Sequence, residues 1–369
     1  MKKLSIRITA ALLPVVVATS GIFAGNVQRA GQAGAGELLI NPWARSSGWA
    51  EANTASIRGL EAIYLNVAGT AFTRKTELIF SHSQWLVGSG IGAYNFGFSQ
   101  KVGEAGVMSL VVNAMDFGSI DITTTDNPDG GLGTYRPQYT TISAAFAKEF
   151  SNSIYGGATF KVINEGIADV KATGVAIDAG IQYVTGFGKD KAGNKIRDNL
   201  KFGISMKNVG PEMKYSGDGI SFRGESPSGI IMTNEYRMDK FELPSLIKIG
   251  FSYDLRIMQQ VDTTKDEVTS DHRITFAGNF TSNSFTRDQF HFGLEYGFKE
   301  MVMIRAGYLY EDGIMSDDER RTVFTGPTAG VSVEIPINKE NGSTFAIDYS
   351  YRATNPFNGV HTIGVKVSL

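Results

Sequence analysis

The sequence predicts an all-β protein: a transmembrane antiparallel β-barrel of about fourteen strands with a short N-terminal plug segment. Three observations point there. Long runs alternate apolar and small or polar residues, an export signal opens the chain, and the composition is rich in Gly and aromatics but poor in charge.

The alternation carries most weight. In Ile247-Lys248-Ile249-Gly250-Phe251-Ser252-Tyr253-Asp254-Leu255 every second residue is apolar and the others are polar or Gly. Phe290, Phe292, Leu294, Tyr296 and Phe298 alternate in the same way with His291, Gly293, Glu295 and Gly297. Val175, Ile177, Ala179, Ile181 and Tyr183 form a third series, and Phe345, Ile347, Tyr349 and Tyr351 a fourth. Side chains on a strand point to opposite faces with period two, so each run has one greasy and one small or wet face.

A soluble sandwich of the periplasm would turn the greasy faces inward against each other, and alternation alone does not separate it from a membrane barrel. Three features favour the barrel. The runs are about nine to thirteen residues long, which suits tilted membrane strands better than ordinary sheets. Tyr and Phe crowd the strands and their ends, as interfacial girdles do. The N-terminus supplies the address: Lys2, Lys3 and Arg7 precede the apolar stretch Ile8 to Val17, and small residues lead to Ala24. That apolar stretch is about half the twenty residues a spanning helix needs, so it reads as a cleavable signal peptide over 1–24. The predicted destination is the outer membrane, with its lipid as the first partner.

The pattern places strands near 75–86, 90–101, 105–122, 135–149, 152–165, 170–185, 199–209, 243–257, 272–282, 287–299, 301–311, 322–336, 343–353 and 359–369. The barrel thus occupies 74–369, and 25–73 precedes it. Short links at Phe150-Ser151-Asn152 and Phe298-Lys299-Glu300-Met301 read as periplasmic turns. The long polar links 211–241 and 259–271 read as extracellular loops, with 126–133 and 313–321 on the same side.

Residues 37–72 are not strand-like. The run from Gly59 to Gly69 has the length of one short helix with a Gly stop. Irregular backbone cannot face lipid unpaired, so this segment is expected inside or beneath the barrel, as a plug. At the other terminus, His361 to Leu369 alternate to the last residue. Thr362, Gly364, Val367 and Leu369 fit a pattern that resembles the insertion signal read by the barrel assembly machinery, although Leu369 stands where an aromatic is usual.

Chemistry-bearing patterns are sparse. The net charge of −2 gives no basic bias toward nucleic acid. Without Cys there are no disulfides, thiolate metal sites or lipidated Cys. His82, His272, His291 and His361 lie on separate strands without metal-ligand spacing. His291 and Glu295 share an interior face, where a lumenal polar pair is expected, and Asp317-Asp318-Glu319 reads as a solvated turn. Neither an enzyme nor a cofactor is expected.

Two blocks carry a family resemblance. Ala33 to Ile40, Ala44-Arg45-Ser46, Ala50 to Ala55 and Gly59 to Gly69 resemble the opening of PorV/PorQ-family outer-membrane proteins, which are related to the long-chain fatty acid transporter barrels. Asn208-Val209-Gly210-Pro211, followed by Leu243-Pro244-Ser245, resembles a second family block. Val67 departs from the family by replacing a Pro, and Trp49 by replacing a small residue. The resemblance marks Arg45, Glu61, Asn66 and Gly69 as plug positions, and Asn208, Gly210, Pro211, Leu243 and Pro244 as the second block. It implies a role in type IX protein secretion, with a translocon, secreted substrates and a cell-surface attachment enzyme as partners. The alternative is an outer-membrane transporter for hydrophobic small molecules such as fatty acids.

Overall fold

A computed structural model describes residues 25–188, 196–262, 267–338 and 342–369; the expected signal peptide lies outside them. The alternating runs form fourteen long strands: β1 (Thr76–Trp85), β2 (Ile91–Val102), β3 (Gly106–Asp116), β4 (Gln138–Ser151), β5 (Ile154–Ile167), β6 (Val170–Thr185), β7 (Leu200–Val209), β8 (Leu246–Asp262), β9 (Glu267–Asn283), β10 (Gln289–Phe298), β11 (Val302–Glu311), β12 (Phe324–Asn338), β13 (Ser343–Thr354) and β14 (Val360–Ser368). Each is antiparallel to its neighbours in the chain, and β14 pairs with β1 in the register Phe80↔Val365 and Ser81↔Gly364. The sheet is therefore closed, and no row of backbone donors and acceptors is left to face hydrocarbon.

Its faces are inverted relative to a soluble protein. Phe251, Phe292 and Ile347 are 51%, 55% and 46% exposed on the outside, whereas Ser252, His291 and Asp348 are buried within. A continuous apolar exterior around a polar interior is the arrangement of an outer-membrane barrel, and that is where this protein resides.

Successive antiparallel strands alternate between the two ends of the barrel. One end carries Leu369 and the connections 103–105, 152–153 and 299–301; the other carries 117–137, 210–245 and 312–323. Bacterial barrels keep short turns in the periplasm and long loops outside, so the end with Leu369 is periplasmic. This corrects the expectation for 259–271, which is not an extracellular loop. Ladder pairing continues through Gln259↔Ser270 to Asp262↔Glu267, so these strand ends lie at the same end as the turns after Phe150 and Phe298. The stretch that resembled a loop thus belongs largely to two 17-residue strands. β3, in contrast, stops at Asp116 rather than at 122.

The long 210–245 connection turns back over the mouth. Met213–Ser216 pairs with β6 through Tyr215↔Ala172, and Ser221–Glu225 pairs with Ile231–Glu235 as a separate ribbon. The N-terminal segment begins at this mouth, where Gly34 N–H donates to the Glu242 carbonyl and Ala33 bridges Glu242. It then passes through the lumen and reaches β1 at the periplasmic end. Where one helix was expected, Ala62–Leu65 makes a single α-turn and Val67–Phe72 a 3₁₀ turn, separated by the extended Asn66. The core is lumenal: Trp43, Leu60, Ile63 and Val67 of the segment pack on Ile79, Val111 and Ala145 of the wall.

The closed seam and the greasy exterior predict how assembly fails. Phe292→Arg places a charge on lipid at a cost of about 2–4 kcal/mol near mid-membrane. Deleting 367–369 removes the Leu78↔Val367 and Phe345↔Val367 pairs on both sides of the seam. Both variants should lose heat-modifiable gel migration and be degraded in the periplasm. Normal migration of the truncated chain would remove the case for a terminal signal.

Candidate functional site

The site is the contact between the N-terminal segment and the inner wall. Small residues let the segment approach. A Cβ on Gly48 would stand 2.8 Å from the Gly330 Cα, so backbone meets backbone there. Charged residues then hold the segment. Arg45 pairs with Glu61 at 3.6 Å, with Glu334 of β12 at 3.1 Å and with Asp348 of β13 at 3.2 Å. Glu51 accepts from Lys248 Nζ of β8 at 2.7 Å and from Arg352 of β13 at 3.1 Å. Burial raises the Glu51 pKa, but the two cations outweigh it and hold the carboxyl at about 2. It stays ionised, and its contribution to docking is present above the ordinary carboxylate range and lost only in strong acid.

All four positions marked in the opening block meet here. Besides the Arg45–Glu61 pair, Asn66 accepts from the Ala68 N–H and donates to the carbonyls of Thr54 and Ile181, at 3.1 and 3.0 Å. It thereby caps the 3₁₀ turn and ties it to β6. Gly69 leaves no room for a side chain, because a Cβ would lie 2.2 Å from the Ile57 carbonyl oxygen. The second block also converges. Asn208 Nδ2 donates to the Pro244 carbonyl at 3.1 Å, and its Oδ1 accepts from Lys161 Nζ at 2.8 Å. A Cβ on Gly210 would meet Leu243 Cδ1 at 2.9 Å. Pro211 is exposed and joins none of these contacts. Of the terminal residues, Thr362 faces inward to Ser83 at 2.9 Å and Leu369 is exposed.

His291 and Glu295 do share the interior face but not a bond. His291 contacts the Ala50 carbonyl and Thr281, at 2.6 and 3.0 Å, while Glu295 is paired with Arg273 and Arg305. Asp317 is bound by Arg320 in an exposed turn.

In the mouth half of the lumen the contact leaves a cavity of about 50 Å³ between the segment and β2 to β5. Leu38, Ile40, Trp43, Ile63 and Met115 give it an apolar side, and Glu37, Asn95, Asn113, Thr141 and Ser143 a polar one. Glu37 is coupled to Glu165 of β5, which accepts from the Tyr215 hydroxyl of the folded-back loop. Burial first, and then the Glu165 carboxylate, push Glu37 up to about 8. The alternation rule could have flagged Glu165 as lumenal; nothing in the sequence pairs it with Glu37, 128 positions earlier.

Two outcomes follow. Arg45 is shared by three carboxylates, and Lys366 and Arg305 offset only part of its loss, so Arg45→Ala should weaken docking by roughly 3 kcal/mol, with partial recovery in Arg45→Lys. Protease cleavage within 33–61 of the folded barrel measures this. The raised Glu37 pKa acts in the opposite direction to that of Glu51: its contribution is complete below about 4.5 and fades as pH rises through about 8. The protection factor of the Leu38 amide, with the intrinsic pH dependence of exchange divided out, should therefore fall between pH 6 and pH 9, and Glu37→Gln should flatten that response.

No protein-family model matches this chain, and no curated protein matches it. Among solved structures it is similar to the Pseudomonas putida toluene transporter TodX, at 11% identity and a TM-score of 0.47, over 85% of this chain and 94% of that one. A TodX deltaS2S3 mutant, described as a monoaromatic hydrocarbon channel, is similar at 12% identity and a TM-score of 0.48, over 88% and 97% of the two chains. A Pseudomonas aeruginosa FadL homologue is similar at 9% identity and a TM-score of 0.45, over 88% and 96%. What is shared at these values is a likeness of barrel fold.

Proposed function

We propose that this protein is an outer-membrane channel for small hydrophobic molecules, with the N-terminal segment as its plug. One observation carries the reading: the half-apolar cavity at the mouth side of the lumen, whose floor is the segment itself. Ligand sites are concave, mainly apolar, and furnished with a few convergent polar groups, as this one is. At about 50 Å³ it has room for a few waters. An apolar cavity of roughly 150 Å³ is what holds a benzene ring. Passage of any hydrocarbon therefore requires the segment to shift, which gives the Arg45 and Glu51 pairs the role of a latch.

Type IX secretion, implied by the PorV/PorQ resemblance, remains a second reading, and a specific feature favours it. The ribbon in the 210–245 connection exposes Phe222, Ile231, Met232 and Tyr236 at the outer end of the barrel, the place for contact with secreted substrates or an attachment enzyme.

One strain set separates the readings. Under the channel reading, Arg45→Ala changes uptake of labelled oleate or toluene severalfold, while deletion of 221–235 leaves it unaltered. Under the secretion reading, the 221–235 deletion releases surface-attached proteins into the medium. Unchanged uptake of both probes in a complete deletion strain, with no paralogue compensating, would overturn the channel.

A further inference from the structure

The cavity walls carry polar atoms that the protein does not use. Trp43 is 1% exposed and lines the cavity, yet its indole Nε1 has no hydrogen-bond acceptor among the described residues. Asn113 lines the same cavity with Oδ1 unpartnered, while Glu37 meets the Glu165 carboxylate. A buried donor and a buried acceptor thus stand unsatisfied around one small space. Such groups are costly to keep unless something pairs with them, so the two at one cavity point to a bound group that both donates and accepts.

The surroundings narrow that group. Lys161, the cation on the lining, is already paired with Asp178 at 2.6 Å and Asn208, so no free cation waits for a carboxylate. A charged amine only donates and would leave the Trp43 Nε1–H unpaired, whereas a hydroxyl both donates and accepts. At about 50 Å³ the cavity admits a group of a few atoms, so the rest of the molecule needs the space that a shift of the segment opens.

Resting on the channel reading, we propose that the preferred substrates are uncharged amphipathic molecules carrying a hydroxyl, alcohols or phenols, whose O–H enters this cavity, accepts from Trp43 Nε1 and donates to Asn113 Oδ1. A site built to pair a hydroxyl discriminates against the analogue that lacks it, because its own polar groups are then left buried and unpaired.

Calorimetry on the refolded full-length barrel in detergent, at pH 7, tests this with 2-phenylethanol, ethylbenzene and phenylacetate as probes. The alcohol should bind at least about tenfold more tightly than ethylbenzene, equivalent to one to two net hydrogen bonds. Phenylacetate should bind more weakly than the alcohol. Trp43→Phe keeps a ring and removes the donor, and Asn113→Leu removes the acceptor; each should bring the alcohol-to-hydrocarbon ratio toward unity. Heat-modifiable migration identifies variants that have not folded, and either variant alone suffices. Equal binding of alcohol and ethylbenzene by the unaltered protein would overturn the hydroxyl preference and leave the channel standing. So would an unchanged ratio in a folded variant, which would mean that water alone satisfies these atoms. If none of the three probes binds or is taken up by cells, the channel reading fails with it.

Discussion

Hydrocarbon offers a peptide group no partner, and the architecture follows from that shortage. Each strand must be paired on both sides, which closes β14 onto β1 and makes the lumen the place for every side chain that lipid rejects. The inward faces hold Lys, Arg, Asp and Glu as well as Ser and Gly, so the interior carries charge that a soluble core would not. The N-terminal segment enters this space with its own charges. Arg45 and Glu51 find oppositely charged partners on β8, β12 and β13, and these ion pairs hold the segment together with its apolar contacts.

Buried ion pairs of this kind are weak sources of net stability but are costly to break one-sidedly. That asymmetry suits a lumen that must be closed in one state and passable in another. A purely apolar interface would dock more firmly and release less selectively. Apolar contact runs along the whole segment: Ala35 and Leu38 pack with Ile163, Met213 and Leu243 at the mouth, and Trp43, Leu60 and Val67 pack on the wall below.

Much of the barrel was legible in the sequence because membrane strands obey a period of two on a fixed length scale. All fourteen runs form strands, and the greasy residues face outward. The misreading at 259–271 has a physical origin: polar composition does not by itself end a strand, and here the backbone ladder runs on to Asp262↔Glu267. Counting strand parity from the terminal strand would have placed that link correctly. The resemblance located Arg45, Glu61, Asn66 and Gly69, but not their partners. Asp348 lies 303 positions from Arg45, and only closure of the barrel brings the two together. The cavity is similarly invisible, because Trp43 and Glu37 of the N-terminal segment and Asn113 of β3 share no common periodicity.

The path of the N-terminal segment also orders events during biogenesis. Synthesised before any strand, it has partners on β12 and β13, among the last to be made. Its cationic and anionic side chains must stay hydrated until the wall exists. The β1–β14 seam closes around a chain that enters at one mouth and leaves at the other. Threading such a segment afterwards would mean drawing it through a finished ring, so filling of the lumen and sealing of the ring belong to one cooperative step. Contacts of such long sequence separation are slow to form, and the unsealed sheet, greasy outside and charged inside, is the stage most exposed to misassembly.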